Sequence, residues 1–178
     1  MIIRANSEKG FSLIELLIVV AILGVLAAVG VVGYQGYIDS TKRSVTESNA
    51  KAVQQWIENT DTVREARIKV NIPECETDNT SQADIVACMN EIAKTSNPFA
   101  GFKNAYDSTR RGASMIYATT ASTIAVNDAC VTHSAELGDV VIHVDADTDV
   151  SVTPYYCVSS DGSYQLGSQT GWTVKWGD

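Results

Sequence analysis

The sequence predicts an α+β protein in which a long N-terminal α-helix packs on an antiparallel β-sheet. No residue between Glu15 and Asp39 carries a formal charge, a helical apolar pattern continues beyond that stretch, and β-rich runs separated by turn residues begin at residue 113. A helix from about residue 11 to 62 would be roughly 78 Å long. A head of this size can cover only the second half of such a helix, so we expect the apolar first half to protrude.

The composition excludes two classes of protein. The 178 residues include 13 Lys plus Arg against 21 Asp plus Glu, which gives a net charge of −8. Binding of nucleic acid by the whole surface needs many cations to neutralise phosphates, so the acidic excess argues against it. Hydrophobic residues make up 45% of the chain, which is enough to bury a core, so intrinsic disorder is not expected.

Residues 16–33 read LLIVVAILGVLAAVGVVG and can cross a membrane. As a helix this segment spans roughly 27 Å, close to the hydrocarbon thickness of a bilayer, which is about 30 Å. The polar leader before it carries Arg4 and Lys9, which favour a cytoplasmic N-terminus and an exported C-terminal body. A Sec signal peptide cut near residues 27–30 is the alternative. Against it, the run is longer than a signal core, and Glu15 lies only one helical turn inside the apolar stretch that starts at Phe11.

The segment from Gly10 to Glu15, Gly-Phe-Ser-Leu-Ile-Glu, followed by the apolar run, resembles the N-terminus of type IV pilins and of type II secretion pseudopilins. The resemblance covers about residues 9–40. It implies the pilin fold, cleavage after Gly10 by a membrane prepilin peptidase, and N-methylation of the new N-terminal residue, Phe11. The chain would then comprise a cleaved leader (1–10), a transmembrane and filament-core helix (11–36) and a globular head (37–178).

The chemistry of this motif can also be argued from its residues. Gly10 has no side chain to obstruct a protease, and cleavage creates an ammonium group on Phe11 in an apolar setting. Glu15 is the one carboxylate in the apolar segment, so an ion pair between the two charges lowers the cost of burying each. The resemblance implies that Glu15 pairs with the N-terminus of a neighbouring subunit and sets the register of assembly. A Glu15 side chain that reaches the membrane surface is the alternative.

Pilins of this kind usually carry proline where this chain has Val32. In filaments of the family the helix is often locally unwound before that position, which allows extension. Without proline every amide of the segment can donate within the helix, so the rod either stays straighter or is loosened by glycines alone. Each glycine destabilises a helix by up to about 1 kcal/mol relative to alanine. The glycines of this segment are Gly24, Gly30, Gly33 and Gly36.

The head is expected to contain the end of the first helix, a second helix and four or five strands. The second helix fits residues 81–96, with Ser81 as its N-cap, and the sequence Asn-Pro-Phe-Ala-Gly at 97–101 ends it. Pro154 belongs at an edge or a bulge of the sheet. The expected strands are residues 113–120, 122–126, 139–144, 150–158 and 171–176.

Four cysteines lie beyond the apolar segment, and an even number in an exported head favours two disulfides. Four cysteines allow three pairings. Pairing sequence neighbours would join Cys75 to Cys88 and Cys130 to Cys157, and the second pair resembles the disulfide-bounded C-terminal region of pilins. A zinc site is the alternative, but no two of these cysteines have the CxxC spacing.

An acidic segment, Asp145, Asp147 and Asp149 with Asp139 upstream, places carboxylates on alternate residues, and such oxygen clusters can bind calcium. An EF-hand loop would need Gly at position 150 and Glu at 156, where this chain has Val and Tyr. A solvated acidic turn is the simpler interpretation. We therefore expect no cofactor, with calcium as the alternative.

The remaining candidate residues do not form a catalytic motif. His133 and His143 are the only histidines, and GxSxG, HExxH and Walker sequences are absent, so no enzymatic activity is expected. Lys103 with Arg110 and Arg111 forms a small basic patch that can contact DNA or an acidic neighbouring subunit, although such patches are more often only solvated. Trp172 and Trp176 alternate on the last strand and are expected to pack in the core.

The resemblance implies a structural subunit, the major pilin of a type IV pilus. Its precursor would lie in the bacterial inner membrane and then assemble into an extracellular filament. Its partners would be the prepilin peptidase, the inner-membrane assembly machinery and further copies of itself. A type II secretion pseudopilin is one alternative. A minor pilin that binds DNA or adheres to a host surface is another.

Overall fold

A computed structural model describes the chain apart from residues 1–9, 76–80, 95–96, 121–123, 146–149, 161–162, 169–170 and 177–178. The described residues form an α+β structure, which confirms the predicted class. The first element is one long helix, α1 (Leu13–Glu65). The chain divides into two compact units, Met1–Ser40 and Thr41–Asp178.

In the first unit, α1 is an uninterrupted helix through all four glycines. Apart from the adjacent residues and the surrounding helix backbone, no atom lies within 4 Å of the position that a Cβ would take at any of them. Among the described residues, α1 is also the one helix that is long and apolar enough to cross a membrane. In the single chain, therefore, the glycines do not break the rod, and its conformation in a filament stays a prediction.

In the second unit, α1 buries one stripe of side chains in the core. Ala50, Val53 and Ile57 are completely buried at the spacing of three and four residues that places them on one helix face. The helix ends three residues later than predicted, in a Schellman motif. Ile68 N–H donates to the Val63 carbonyl, and Arg67, at φ 54°, occupies the left-handed position that usually belongs to glycine.

The second helix, α2 (Gln82–Glu91), begins as predicted and ends earlier. Ser81 is its N-cap, and the Ser81 hydroxyl accepts a hydrogen bond from Asp84 N–H. At the other end, the Asn97 side chain donates to the Glu91 carbonyl at 2.7 Å and so replaces a further helical amide. The apolar face of α2 (Ile85, Cys88 and Met89) is buried.

In the described part of the chain, five strands form one mixed sheet in the order β1-β2-β3-β4, with β5 also paired to β3. β1 and β2 are parallel and the other pairs are antiparallel, so the prediction of an entirely antiparallel sheet was wrong for β1. A parallel pair needs a crossover connection, and the segment between β1 and β2 provides it. The strands are β1 (Ile116–Thr119), β2 (Val140–Asp145), β3 (Ser151–Ser160), β4 (Ser163–Gly167) and β5 (Val174–Lys175).

The crossover explains why the predicted strand at 122–126 is wrong for its described part, residues 124–126. Residues 124–137 cross the outer face of the sheet, where Ile124, Cys130 and Ala135 pack on Val141 and Tyr155 of the sheet. The central strands therefore have apolar side chains buried on both faces. The inner face, including Val140, Ile142 and Val144, packs with the buried stripes of α1 and α2.

Pro154 lies within β3 at a local edge. On one side it is paired with Ile142 of β2. On the other side β5 pairs with β3 only up to Val152 and β4 only from Tyr156 onward, so no strand of the described chain lies beside residues 153–155 there. The Pro154 carbonyl accepts a hydrogen bond from the Ser168 hydroxyl at 3.1 Å, away from β2. The missing Pro154 N–H therefore faces a gap where no ladder bond is required, as predicted for a proline in a sheet.

Candidate functional site

The Gly10–Phe11 peptide bond lies in exposed, non-helical backbone just before α1. The Phe11 side chain is 85% exposed, and the Gly10 Cα faces open space. Exposed, irregular backbone is what proteases require of a substrate. The local structure therefore leaves this bond accessible to a peptidase.

Glu15 lies in the first turn of α1 and makes one of the two hydrogen bonds of a capping box. Ser12 is the N-cap, since its carbonyl accepts the first helical bond, from Leu16 N–H at 3.2 Å. One Glu15 carboxylate oxygen accepts a hydrogen bond from Ser12 N–H at 2.8 Å. The position suits an anion, because the helix dipole places positive charge at this end. We did not predict this bond, although the Ser-x-x-Glu sequence is its known signature.

The Glu15 carboxylate lies close to Phe11, the residue on which cleavage would create a new charge. Glu15 binds the amide of Ser12, and Phe11, whose nitrogen would become an ammonium group, directly precedes Ser12. The structure therefore brings Glu15 near the predicted N-terminus along the same chain. Whether the partner ammonium belongs to the same subunit or to a neighbour stays a prediction.

The apolar part of α1 exposes large hydrophobic side chains on every face. From Leu16 to Val32 the large aliphatic side chains are 47–71% exposed. A helix that is hydrophobic all round belongs inside a membrane or inside a protein bundle. This surface therefore requires lipid or other protein chains around it.

All four cysteines are in disulfides, and the pairs are those of sequence neighbours. Cys75 is bonded to Cys88, which ties the short 3-10 turn at Pro73–Cys75 to α2. Cys130 is bonded to Cys157, which ties the crossover segment to β3. No cysteine is free to bind zinc.

The predicted calcium ligands are only partly visible. Asp147 and Asp149 lie outside the described residues, and Asp145 ends β2. Asp139 is not available as a ligand, because it is completely buried and paired with Arg110 at 2.9 Å. Within the described part of the chain, no group of three or more His, Cys, Asp or Glu side chains is placed to hold a metal ion.

Asp139 is the centre of a buried polar cluster that sequence reasoning missed. Its carboxylate accepts hydrogen bonds from Arg110 Nη2, from Asn104 Nδ2 at 3.2 Å and from Glu136 N–H at 3.0 Å. Burial raises the pKa of Asp139 to about 6, while the Glu136 N–H and the Arg110 guanidinium oppose that rise. Arg110 also pairs with the Glu136 carboxylate and donates to the Ser114 carbonyl.

A glycine makes room for this cluster. Gly138 has φ +86°, and a Cβ at that position would lie 2.1 Å from Asn104 Oδ1. Asn104 in turn donates to the Leu137 carbonyl at 2.8 Å and accepts from the backbone N–H groups of Tyr106 and Asp107. The cluster therefore joins the loop around Asn104 to the turn before β2.

The predicted basic patch is divided by this cluster. Arg110 turns inward, whereas Lys103 and Arg111 are exposed and face each other across an isolated antiparallel β-bridge. Lys42 lies 5.3 Å from the ring centre of Tyr106, in a cation–π contact. Two of the three predicted cations thus remain at the surface.

The other candidates have structural roles. Trp172 and Trp176 are both buried, the first beside Tyr156 and the second beneath the Arg64 guanidinium, which lies 4.8 Å from its ring centre. His133 Nε2 lies 3.2 Å from Asp128 Oδ2 in the crossover segment. The Ala125 N–H and His133 hold the pKa of Asp128 below its usual value.

Residues 5–31 match the family model described as the prokaryotic N-terminal methylation motif. This is the leader signature of type IV prepilin-like proteins, and the match includes Gly10, Phe11 and Glu15, which confirms the resemblance found in the sequence. The motif supports a pilin-like or pseudopilin substrate of prepilin peptidase, and with the apolar helix it fits a membrane-anchored precursor. No curated protein sequence and no solved structure matches the chain.

Proposed function

We propose that this chain is the major pilin of a type IV pilus, which assembles into an extracellular helical filament after cleavage at Gly10 and N-methylation of Phe11. The observation that carries the proposal is the exposure of the apolar half of α1 on every face, in a segment that the methylation motif largely covers. A simple membrane anchor needs the apolar helix but has no use for a carboxylate in its first turn. A helix that leaves lipid to pack against copies of itself has a use for both features.

Glu15 would determine the register in which the apolar helix packs against its neighbours when it leaves the lipid. An unpaired charge in an apolar bundle costs several kcal/mol, and an opposite charge at the right position offsets much of that cost. A helix that docks out of register leaves both the carboxylate and the Phe11 ammonium of its neighbour unpaired. The correct register is therefore favoured by electrostatics, although apolar packing supplies the contact area.

The glycines would let the helices approach closely once lipid is removed. Helix association in an apolar medium depends on packing and on small residues, because lipid chains are as apolar as leucine. The open space beside Gly24, Gly30 and Gly33 is available for a neighbouring helix.

The test is electron microscopy of fibres sheared from the cells that produce this chain, with mass spectrometry of their main protein. We expect abundant fibres whose subunit begins at N-methylated Phe11. A subunit that retains its leader, or that begins beyond the apolar segment, would refute the proposal. Abundant periplasmic fibres with none at the surface would identify a pseudopilin instead.

Two variants separate the charge of Glu15 from its capping bond. Glu15→Gln keeps an oxygen that can accept from Ser12 N–H, since glutamine also serves in a capping box, but it removes the charge. Glu15→Asp keeps the charge on a shorter side chain. We expect Glu15→Gln to insert in the membrane, to be cleaved and to form no fibres, with Glu15→Asp retaining more assembly. Normal fibres from Glu15→Gln would remove the electrostatic role.

A further inference from the structure

Two exposed cations face each other on the head, and no described residue supplies a counter-charge to them. Lys103 and Arg111 are directly opposite across the antiparallel bridge, a geometry that places side chains of paired residues on the same face, about 5 Å apart at Cβ. Both side chains are exposed. Among the described residues neither has an ion-pair partner, in contrast to Arg110, which has two.

This arrangement is unfavourable in the isolated chain. Like charges directly opposite each other on paired strands repel and destabilise the pair. In a chain with a net charge of −8, nearby carboxylates could have neutralised these cations, and the described part of the structure shows none that does so. The repulsion is relieved if an anion from outside the chain docks there.

Arg111 borders a groove that can admit such a group. Arg111, Gly112 and Ser114 line an open cavity of about 650 Å³ together with Lys94, whose ammonium is already paired with Glu91. Gly112 forms part of its wall at φ +51°, where a Cβ would lie 2.6 Å from the Ala93 carbonyl oxygen. Among the described residues, the cation that lines the groove without an ion-pair partner is therefore Arg111, and Lys103 lies opposite it across the bridge.

We propose that Lys103 and Arg111 bind carboxylates on the head of a second copy of this chain. The inference rests on the proposed function, which brings identical acidic heads into contact. Copies with a net charge of −8 repel each other unless positive and negative patches meet, and this patch supplies the positive side. DNA is the less favourable partner, because two cations neutralise few phosphates and the surrounding surface repels a polyanion.

The test treats purified wild-type fibres with a water-soluble carbodiimide. The reagent adds to a carboxylate and activates it. The neutral Lys103 amine then attacks the activated carbonyl carbon, the spent reagent leaves as a urea, and an amide bond forms only where the two side chains touch. We expect a covalent dimer in which mass spectrometry finds Lys103 joined to an Asp or Glu. Lys103→Arg keeps the charge but cannot be coupled, so its fibres should form within about twofold of wild-type yield and lose this cross-link.

Charge reversal tests the contribution to assembly. Lys103→Glu combined with Arg111→Glu should reduce the fibre yield at least about tenfold, because like charges then meet across the contact. Lys51→Glu combined with Lys69→Glu makes the same change in net charge at two exposed positions that are not part of the bridge and should assemble almost normally. Tryptophan fluorescence of each variant verifies that the head is folded.

Three results would overturn the inference while leaving the proposed function intact. These are wild-type fibres without a Lys103 cross-link to a second copy, unchanged assembly of the reversed pair, and an equal loss in the matched control pair. A Lys103 cross-link to a different protein, or fibres that hold DNA at this patch, would also overturn it. If the wild-type chain forms no fibres at all, the proposed function fails and this inference fails with it.

Discussion

Replacing Arg110 by methionine should destabilise the head, and the loss should depend on pH. The substitution keeps most of the apolar stem but leaves the Asp139 carboxylate, which is completely buried, without its cation. Removing one partner of a buried ion pair typically costs about 3–5 kcal/mol. The pKa of Asp139 sets a limit on this cost, because the carboxyl group can take up a proton instead.

The magnitude follows from the pKa of Asp139, which is about 6 in the folded chain against an ordinary value of 3.8 for an aspartate. At about pH 7.5 the Asp139 carboxyl group is charged in the wild type. Protonating it in the variant therefore costs at most about 2 kcal/mol, which is 1.36 kcal/mol for each of the roughly 1.5 pH units between this pH and its pKa. The lost hydrogen bonds of Arg110 to Asp139 and Ser114 add about 1–2 kcal/mol. We therefore expect a total loss of about 3–4 kcal/mol at about pH 7.5. At about pH 5 only the hydrogen-bond part remains, since Asp139 is then protonated in both proteins.

The assay is urea unfolding of the chain in detergent micelles, followed by tryptophan fluorescence. All three tryptophans lie in the unit Thr41–Asp178, so the signal reports the head and not the apolar part of α1. Arg111→Met is the matched control, because it removes the adjacent, exposed arginine and should change stability by less than about 0.5 kcal/mol. Equal losses from the two variants, or a loss from Arg110→Met that is the same at both pH values, would refute the reasoning.

Four further predictions concern the head and use the same unfolding assay. Because the pKa of Asp139 is higher when folded than when unfolded, this group favours the folded chain at low pH. Its contribution declines as pH rises from about 4 to 6, and Asp139→Asn should remove that part of the pH dependence. Arg67→Gly should stabilise the head by about 0.5–1 kcal/mol, since glycine takes φ 54° without strain, and a loss of stability would contradict the Schellman assignment. Gly138→Ala should destabilise it by at least about 2 kcal/mol, because its Cβ would collide with the Asn104 side chain, and a neutral result would refute that contact. Replacing Cys130 and Cys157 together by serine should cost about 2–4 kcal/mol, and an unchanged urea midpoint would show that this disulfide does not stabilise the head.

Features that depend on consecutive residues were predictable from the sequence. The charge-free run dictates a helix that needs an apolar environment, whatever follows it in the chain. Ser81 caps α2 through bonds within one helical turn, and the same kind of short-range bond joins Ser12 to Glu15. The methylation motif is likewise local, which is why it could be recognised without the head.

Features that depend on distant partners were not predictable in the same way. β4 has little β-rich character of its own and forms because β3 offers it a ladder from Tyr156 to Ser160. The parallel pairing of β1 with β2 depends on the path of the crossover segment over the outer face. Nothing within either strand specifies that path.

Arg110 and Arg111 show most plainly what the sequence by itself determined and what only the tertiary structure decided. The composition and the order of the residues determined an apolar helix with one carboxylate at its start, an acidic head and two adjacent arginines in a loop. The fold decided that one arginine turns toward a buried aspartate 29 residues away, while the next stays in solvent opposite a lysine. The physical reason is that a charge acts through space, so its role depends on which distant groups the packed chain brings within a few ångströms.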